Sequence, residues 1–329
     1  MGRKILTAKQ YASEIRVGNR FVLSQAITLV ESTLATSQNL AQTIISSLLP
    51  HTGNSLRLGI TGVPGVGKST FIDQLGMILI QKGHRIAVLS VDPSSQQSKG
   101  SILGDKTRMQ RLSQQDSAYI RPSAAGSHLG GVAQQTREAI LLCEAAGYDV
   151  IIIETVGVGQ SETLVRHMTD FFLLLMISGA GDELQGMKRG IMEMADTIAI
   201  NKADDGNEQA AQVAKRNYQQ ALHLFPPTPG KPQPKVVTCS ALHNQGLHEI
   251  WKQIQAFIAA TQASNYFQQQ RQQQQRNWMH ELINRQLSQD FFQQERIRKI
   301  LPQIEEEVLH GSITAREGAE RLITLHRNC

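Results

Sequence analysis

Cysteine is scarce: the chain has three among its 329 residues, Cys143, Cys239 and Cys329, and no C-x-x-C spacing. That excludes a disulfide framework and a zinc knuckle, and it fits a reducing cytosol. Long hydrophobic runs are missing too. No stretch approaches the ~18 apolar residues of a membrane span. The start, MGRKILTAKQYASEIRVGNR, lacks the uninterrupted apolar core of a secretory signal. No membrane partner is expected, and the expected location is cytoplasmic. Neither sign of charge dominates, since 33 Lys and Arg stand against 28 Asp and Glu. The net charge of +5 is spread along the chain. It argues weakly for nucleic acid and equally well for a binder of an anionic nucleotide, and no nucleic-acid partner is expected. Repeats of solenoid length are absent.

What is present divides the chain into three parts. Within residues 1–50, Val22, Ala26, Ile27, Val30 and Leu34 recur at three- and four-residue spacing and Pro50 closes the segment, which predicts an N-terminal helical extension. Over residues 51–262, short apolar runs alternate with helix-like stretches. The runs are LRLGIT, RIAVLSVD, YDVIIIET, FFLLLMIS, DTIAINKAD and KVVTCSAL. Runs without alternation suit strands buried on both faces, so the expected fold is α/β, with a mostly parallel, doubly wound sheet. Functional loops then belong at the carboxyl ends of the strands. Residues 263–329 begin with the polar FQQQRQQQQR and continue with helical spacing through Trp278, Leu282, Ile283 and Leu287, then Ile297, Ile300, Leu301, Ile304 and Val308.

The strongest motif is Gly62-Val63-Pro64-Gly65-Val66-Gly67-Lys68-Ser69, followed by Thr70: a full G-x-x-x-x-G-K-S between an apolar run and an amphipathic stretch. Its glycines let backbone amides and a helix N-terminus approach phosphate closely. Lys68 is then expected to reach the β- and γ-phosphates and Ser69 to ligate Mg²⁺. This P-loop does not choose between ATP and GTP. Asn201-Lys202-Ala203-Asp204 does, because a carboxylate in that position accepts from N1–H and the exocyclic amine of guanine, donors that adenine lacks. Ser240-Ala241-Leu242 has the form of a companion loop whose backbone amide meets the guanine oxygen.

Between these lie candidates for the metal and the γ-phosphate. Asp92, at the end of RIAVLSVD, suits a Mg²⁺-bound water or a helix cap. Asp105 lies deeper in the polar loop that follows, as a candidate for catalysis or metal binding. Glu154 and Gly157 stand where a Walker B carboxylate and a γ-phosphate-sensing glycine belong. Val158 follows Gly157 in place of the glutamine that orients water in Ras-like enzymes, so slow intrinsic hydrolysis is expected. The segment Gly179–Gly190 is too glycine-rich for a helix throughout and offers Lys188 and Arg189 for phosphate or partner contacts, or simply as a solvated loop.

Taken together, GVPGVGKS, VDPSSQQSKGSILGDKTRM, IIIETVGVGQSE, GDELQGMKRGIMEMAD and NKAD resemble the MeaB/ArgK family of P-loop GTPases, bacterial counterparts of the human methylmalonic aciduria type A protein. The resemblance runs through nearly the whole chain. It implies a GTP/GDP-binding, Mg²⁺-dependent chaperone of adenosylcobalamin-dependent methylmalonyl-CoA mutase that gates cofactor loading and protects the mutase. It also implies a homodimer formed largely by the C-terminal helices, and a third switch segment at Gly181–Asp196. An older family label points to a kinase of arginine and ornithine transport. A metallochaperone GTPase and a kinase-like phosphotransferase are the other classes a P-loop admits. The first would need a Cys/His ligand cluster, and the scattered cysteines argue against it.

Overall fold

The computed structural model describes residues 6–91, 109–122, 129–155, 161–179 and 189–327. The chain divides into two compact units, Met1–Gln268 and Gln269–Cys329. In the first, seven strands form one parallel sheet: β1 (Leu56–Gly62), β2 (Ile86–Val91), β3 (Ala118–Arg121), β4 (Val150–Thr155), β5 (Phe171–Ile177), β6 (Thr197–Asn201) and β7 (Lys235–Thr238). Their spatial order is β3-β2-β4-β1-β5-β6-β7. β2, β4 and β6 are buried at every position, which is why their sequences are apolar without alternation. The strand β3 was not expected. It has four residues, lies at the sheet edge and carries the polar Arg121.

Helices cover both faces: α1 (Ala8–Arg16), α2 (Arg20–Val30), α3 (Ala35–Leu48), α4 (Lys68–Gln81), α5 (Gln110–Ser113), α6 (Leu129–Ala145), α7 (Ser161–Arg166), α8 (Arg189–Met194), α9 (Glu208–Leu222) and α10 (Leu247–Ala263). Helix α4 turns Phe71, Ile72, Leu75, Ile78 and Leu79 into the core. Each such side chain is worth about 1.5–3 kcal/mol relative to exposure.

The N-terminal helices are stitched to this unit. The Arg121 guanidinium pairs with Glu31, at the end of α2, and the hydroxyls of Ser24 and Tyr119 lie 3.1 Å apart. Beneath β1, the buried Glu144 accepts hydrogen bonds from the Gly53 amide (2.8 Å), the Ser55 hydroxyl (2.6 Å) and Arg57 Nε (3.0 Å). Asp196, just before β6, is equally enclosed. It accepts from Arg166 Nη1 at the end of α7 (2.9 Å) and from the Phe172 amide (2.8 Å), and it pairs with Lys231 (2.7 Å).

Helix α11 (Tyr266–Gln293) leaves the first unit at Gln268. In the second unit, α12 (Glu295–Leu309) and α13 (Ala315–Arg327) close a small core on Ile297, Ile304 and Leu322. Of the stripe on α11 that the sequence picks out, Trp278 and Leu282 are half-buried, while Ile283 and Leu287 are exposed. Among the described residues, no helix is long and apolar enough to cross a membrane.

Candidate active site

Because every strand is parallel, the carboxyl ends of β1, β4, β6 and β7 lie along one edge of the sheet, and the loops they feed converge there. β1 ends at Gly62, and residues 63–67 turn into α4, which starts at Lys68. A Cβ at Gly62 would overlap the Leu175 carbonyl of the neighbouring strand, so only glycine fits. Gly67 has φ 91°, in the left-handed region, and a Cβ there would stand 3.0 Å from Asn201 Nδ2. No side chain caps α4. Its first amides therefore face the loop side as unshared donors, the arrangement that holds phosphate.

The Lys68 ammonium donates to the Gly62 carbonyl (2.8 Å) and lies 3.3 Å from that of Val63. Burial holds its pKa below the usual lysine value, against the opposing pull of Glu154 and Glu162. Glu154 is buried near the end of β4, and the Ser69 hydroxyl lies 3.4 Å from its Oε1. A hydroxyl and a carboxylate brought together in this way are the hard oxygen donors that Mg²⁺ takes beside phosphate oxygens. One residue further, the buried hydroxyls of Thr61 and Thr155 share a 2.7 Å hydrogen bond that ties the end of β1 to the end of β4.

The base-side loops are pinned by one buried side chain. Asn201 Nδ2 donates to the Val66 carbonyl in the phosphate loop (2.8 Å), and Asn201 Oδ1 accepts from the Ala241 amide (2.9 Å). The Cys239 thiol stands 3.6 Å from the same oxygen, and burial pushes its pKa up to about 12, so it stays a neutral donor. Asp204 accepts from the Ser240 hydroxyl, which also accepts from the His243 amide at 3.1 Å. Lys202 is exposed with φ 57°, and Leu242 is exposed.

The structure thus brings together Gly62 to Thr70, Glu154, Asn201 to Asp204 and Ser240 to Leu242. Asp92, Asp105, Gly157 and Lys188 lie outside the described residues, and Arg189 opens α8. Three features escaped the motifs. The Thr61–Thr155 pair shows in sequence only as hydroxyls among apolar neighbours. Glu162, buried in α7, carries charge toward Lys68, and its signal was a carboxylate eight positions after Glu154. Asn207 joins the base loop through bonds that depend on tertiary placement.

A family model described as "Methylmalonyl Co-A mutase-associated GTPase MeaB" matches residues 23–296. The chain belongs to the MeaB family. This MeaB-family chain is 46% identical over 316 residues to GTPase ArgK of Escherichia coli, covering 96% of each chain. It is 44% identical over 316 residues to the mitochondrial methylmalonic aciduria type A homolog of Mus musculus, covering 93% of this chain and 76% of that one. A crystal structure described as LAO/AO transport system kinase superposes with a TM-score of 0.79 at 39% identity, covering 99% of this chain and 100% of the other. The MeaB-family member described here is accordingly a P-loop GTPase that binds guanine nucleotide.

Proposed function

We propose that this GTPase is a nucleotide-gated chaperone of an adenosylcobalamin-dependent methylmalonyl-CoA mutase, admitting cofactor and protecting the mutase according to whether GTP or GDP is held. The observation that carries the reading is the match of residues 23–296 to a family described by its association with that mutase. Kinship with the methylmalonic aciduria type A homolog supports it.

Within this reading, the amides of residues 63–70 and the Lys68 ammonium bind the β- and γ-phosphates. Asp204 accepts from N1–H and the exocyclic amine of guanine, and the Ala241 amide donates to the guanine oxygen. Ser69, Glu154 and Asp92 hold Mg²⁺, which when bound neutralises charge on the β- and γ-oxygens. The Gly157 amide senses the γ-phosphate, and Asp105 serves catalysis. With Val158 after Gly157, intrinsic hydrolysis is slow, and Lys188 is the basic side chain through which the mutase stimulates it. The protein works in the cytoplasm as a homodimer joined through residues 263–329. Apolar side chains exposed on α11, Met279, Ile283 and Leu287, suit that contact.

The test compares single-turnover GTP hydrolysis with and without mutase for wild type and Lys188→Ala. The expected result is near-normal GTP affinity with a reduced stimulation ratio. A ratio unchanged in the variant removes Lys188 from this role, and no stimulation of wild type removes the mutase reading. The names ArgK and transport system kinase favour a second reading, phosphoryl transfer to a transport protein. Following labelled γ-phosphate separates the two: it appears as free phosphate in the first and on protein in the second.

A further inference from the structure

Asn207 occupies the N-cap position of α9, where an asparagine normally bonds the first free amides of the helix. Here its side chain makes no capping bond. Its Nδ2 donates to the Lys202 carbonyl (2.7 Å), its Oδ1 accepts from the Ser178 hydroxyl (2.8 Å), and its own amide donates to the Asp204 carbonyl (2.8 Å). Lys202 holds a left-handed φ of 57°, which side-chain-bearing residues seldom adopt, and Asp205 holds φ 50°. A turn of that shape needs something to hold it, and the Asn207 amide bonds across it. The other end of the bridge is Ser178, which directly follows β5 and precedes Gly179, where the third glycine-rich segment begins.

We propose that Asn207 is a positioning residue for guanine recognition. Its side chain sets the carboxylate of Asp204 for the base, and through Ser178 it couples the base-reading loop to the root of segment 179–190. An asparagine that gives up its capping bond for two bonds on other segments serves the loop, whereas one that served the helix would cap it. By reciprocity, whatever shifts Ser178 shifts base affinity, and base binding acts back on Ser178 equally. The proposal rests on the assignment of Asp204 to the base.

The experiment uses the full chain and titrates GDP, IDP and XDP into wild type, Asn207→Ser, Ser178→Ala, the double variant and Asp204→Asn, with a melting curve for each. IDP lacks the exocyclic amine, so the GDP:IDP affinity ratio reports how well the carboxylate is placed. Serine caps a helix as well as asparagine does. Asn207→Ser should therefore melt no lower than wild type while binding GDP about 5- to 100-fold more weakly, the range expected for two lost hydrogen bonds, with a narrowed GDP:IDP ratio. Ser178→Ala should show a smaller loss of the same kind, and the double variant should be no worse than Asn207→Ser. Wild-type GDP affinity and GDP:IDP ratio in Asn207→Ser would overturn the positioning role, and additive losses in the double variant would overturn the coupling. Asp204→Asn is the control: it should shift preference toward XDP. If it does not, the assignment of Asp204 fails and the proposal with it. If it does while Asn207→Ser behaves as wild type, only the proposal fails.

Discussion

The side-chain amide of Asn201 reaches across the site to the Val66 carbonyl, 2.8 Å away, so the loop expected to read the base also holds the loop that wraps phosphate. Replacing Asn201 by alanine strands the Val66 carbonyl and the Ala241 amide together. A buried group left without its partner costs about 1–3 kcal/mol. Asn201→Ala should accordingly weaken GDP binding by at least tenfold and also lower the melting temperature in the absence of nucleotide. A variant that binds weakly but melts as wild type would mean that Asn201 serves only the ligand.

Lys68 provides a pH signature. Burial lowers its pKa in the free protein, and a triphosphate beside it must raise that pKa. Binding then takes up protons at alkaline pH, so affinity falls as pH rises through the lowered lysine value. Calorimetry at alkaline pH in two buffers of different ionisation enthalpy measures the uptake, from which that of guanine N1, followed by the ultraviolet spectrum of the nucleotide, is subtracted. Zero uptake at that pH would show an ammonium already fully charged.

Glu144 lies far from the nucleotide loops and separates stability from function. Removing it takes from the buried Arg57 the carboxylate that pairs with it, and one hydrogen bond each from the Gly53 amide and the Ser55 hydroxyl. Breaking a buried pair in this way costs about 3–5 kcal/mol. Glu144→Ala should lower the urea midpoint steeply while the folded fraction keeps its GDP affinity. Loss of affinity without loss of stability would contradict the arrangement.

Six of the seven strands could be read from the sequence as short apolar runs, left unbroken in β2, β4 and β6 by burial at every position. β3 could not. Its residues are half polar because Tyr119 and Arg121 meet Ser24 and Glu31, partners some ninety positions away that no local pattern announces. The site divides along the same line. Gly62 to Ser69 and Asn201 to Asp204 declare themselves by spacing, since phosphate and guanine impose fixed residue types at fixed intervals. The bonds that assemble them, Asn201 to Val66 and Thr61 to Thr155, join residues more than ninety positions apart and depend on the order in which the strands lie.

The division of the chain after Gln268 makes a truncation informative. Phe267 is buried, and the Ser264 hydroxyl bonds the Gly230 carbonyl at 2.6 Å, so the cut must fall after Gln268 to spare the first unit. Residues 1–268 should bind GDP with wild-type affinity and run as a monomer in light scattering. A dimer of that fragment would place the self-contact away from residues 269–329.

Strand order also grades the site. β1, from which the phosphate loop springs, lies between β4 and β5 in the middle of the sheet, whereas β7, which leads into Ser240 and Ala241, has β6 on one side and, among the described residues, no strand on the other. Edge strands open to solvent at lower free energy than central ones, so amide hydrogens of β7 exchange with solvent long before those of β1. With Ala241 at the guanine, as proposed above, the base sits against the more readily opened edge of the sheet and the phosphates against its centre, so nucleotide departure is expected to begin at the base.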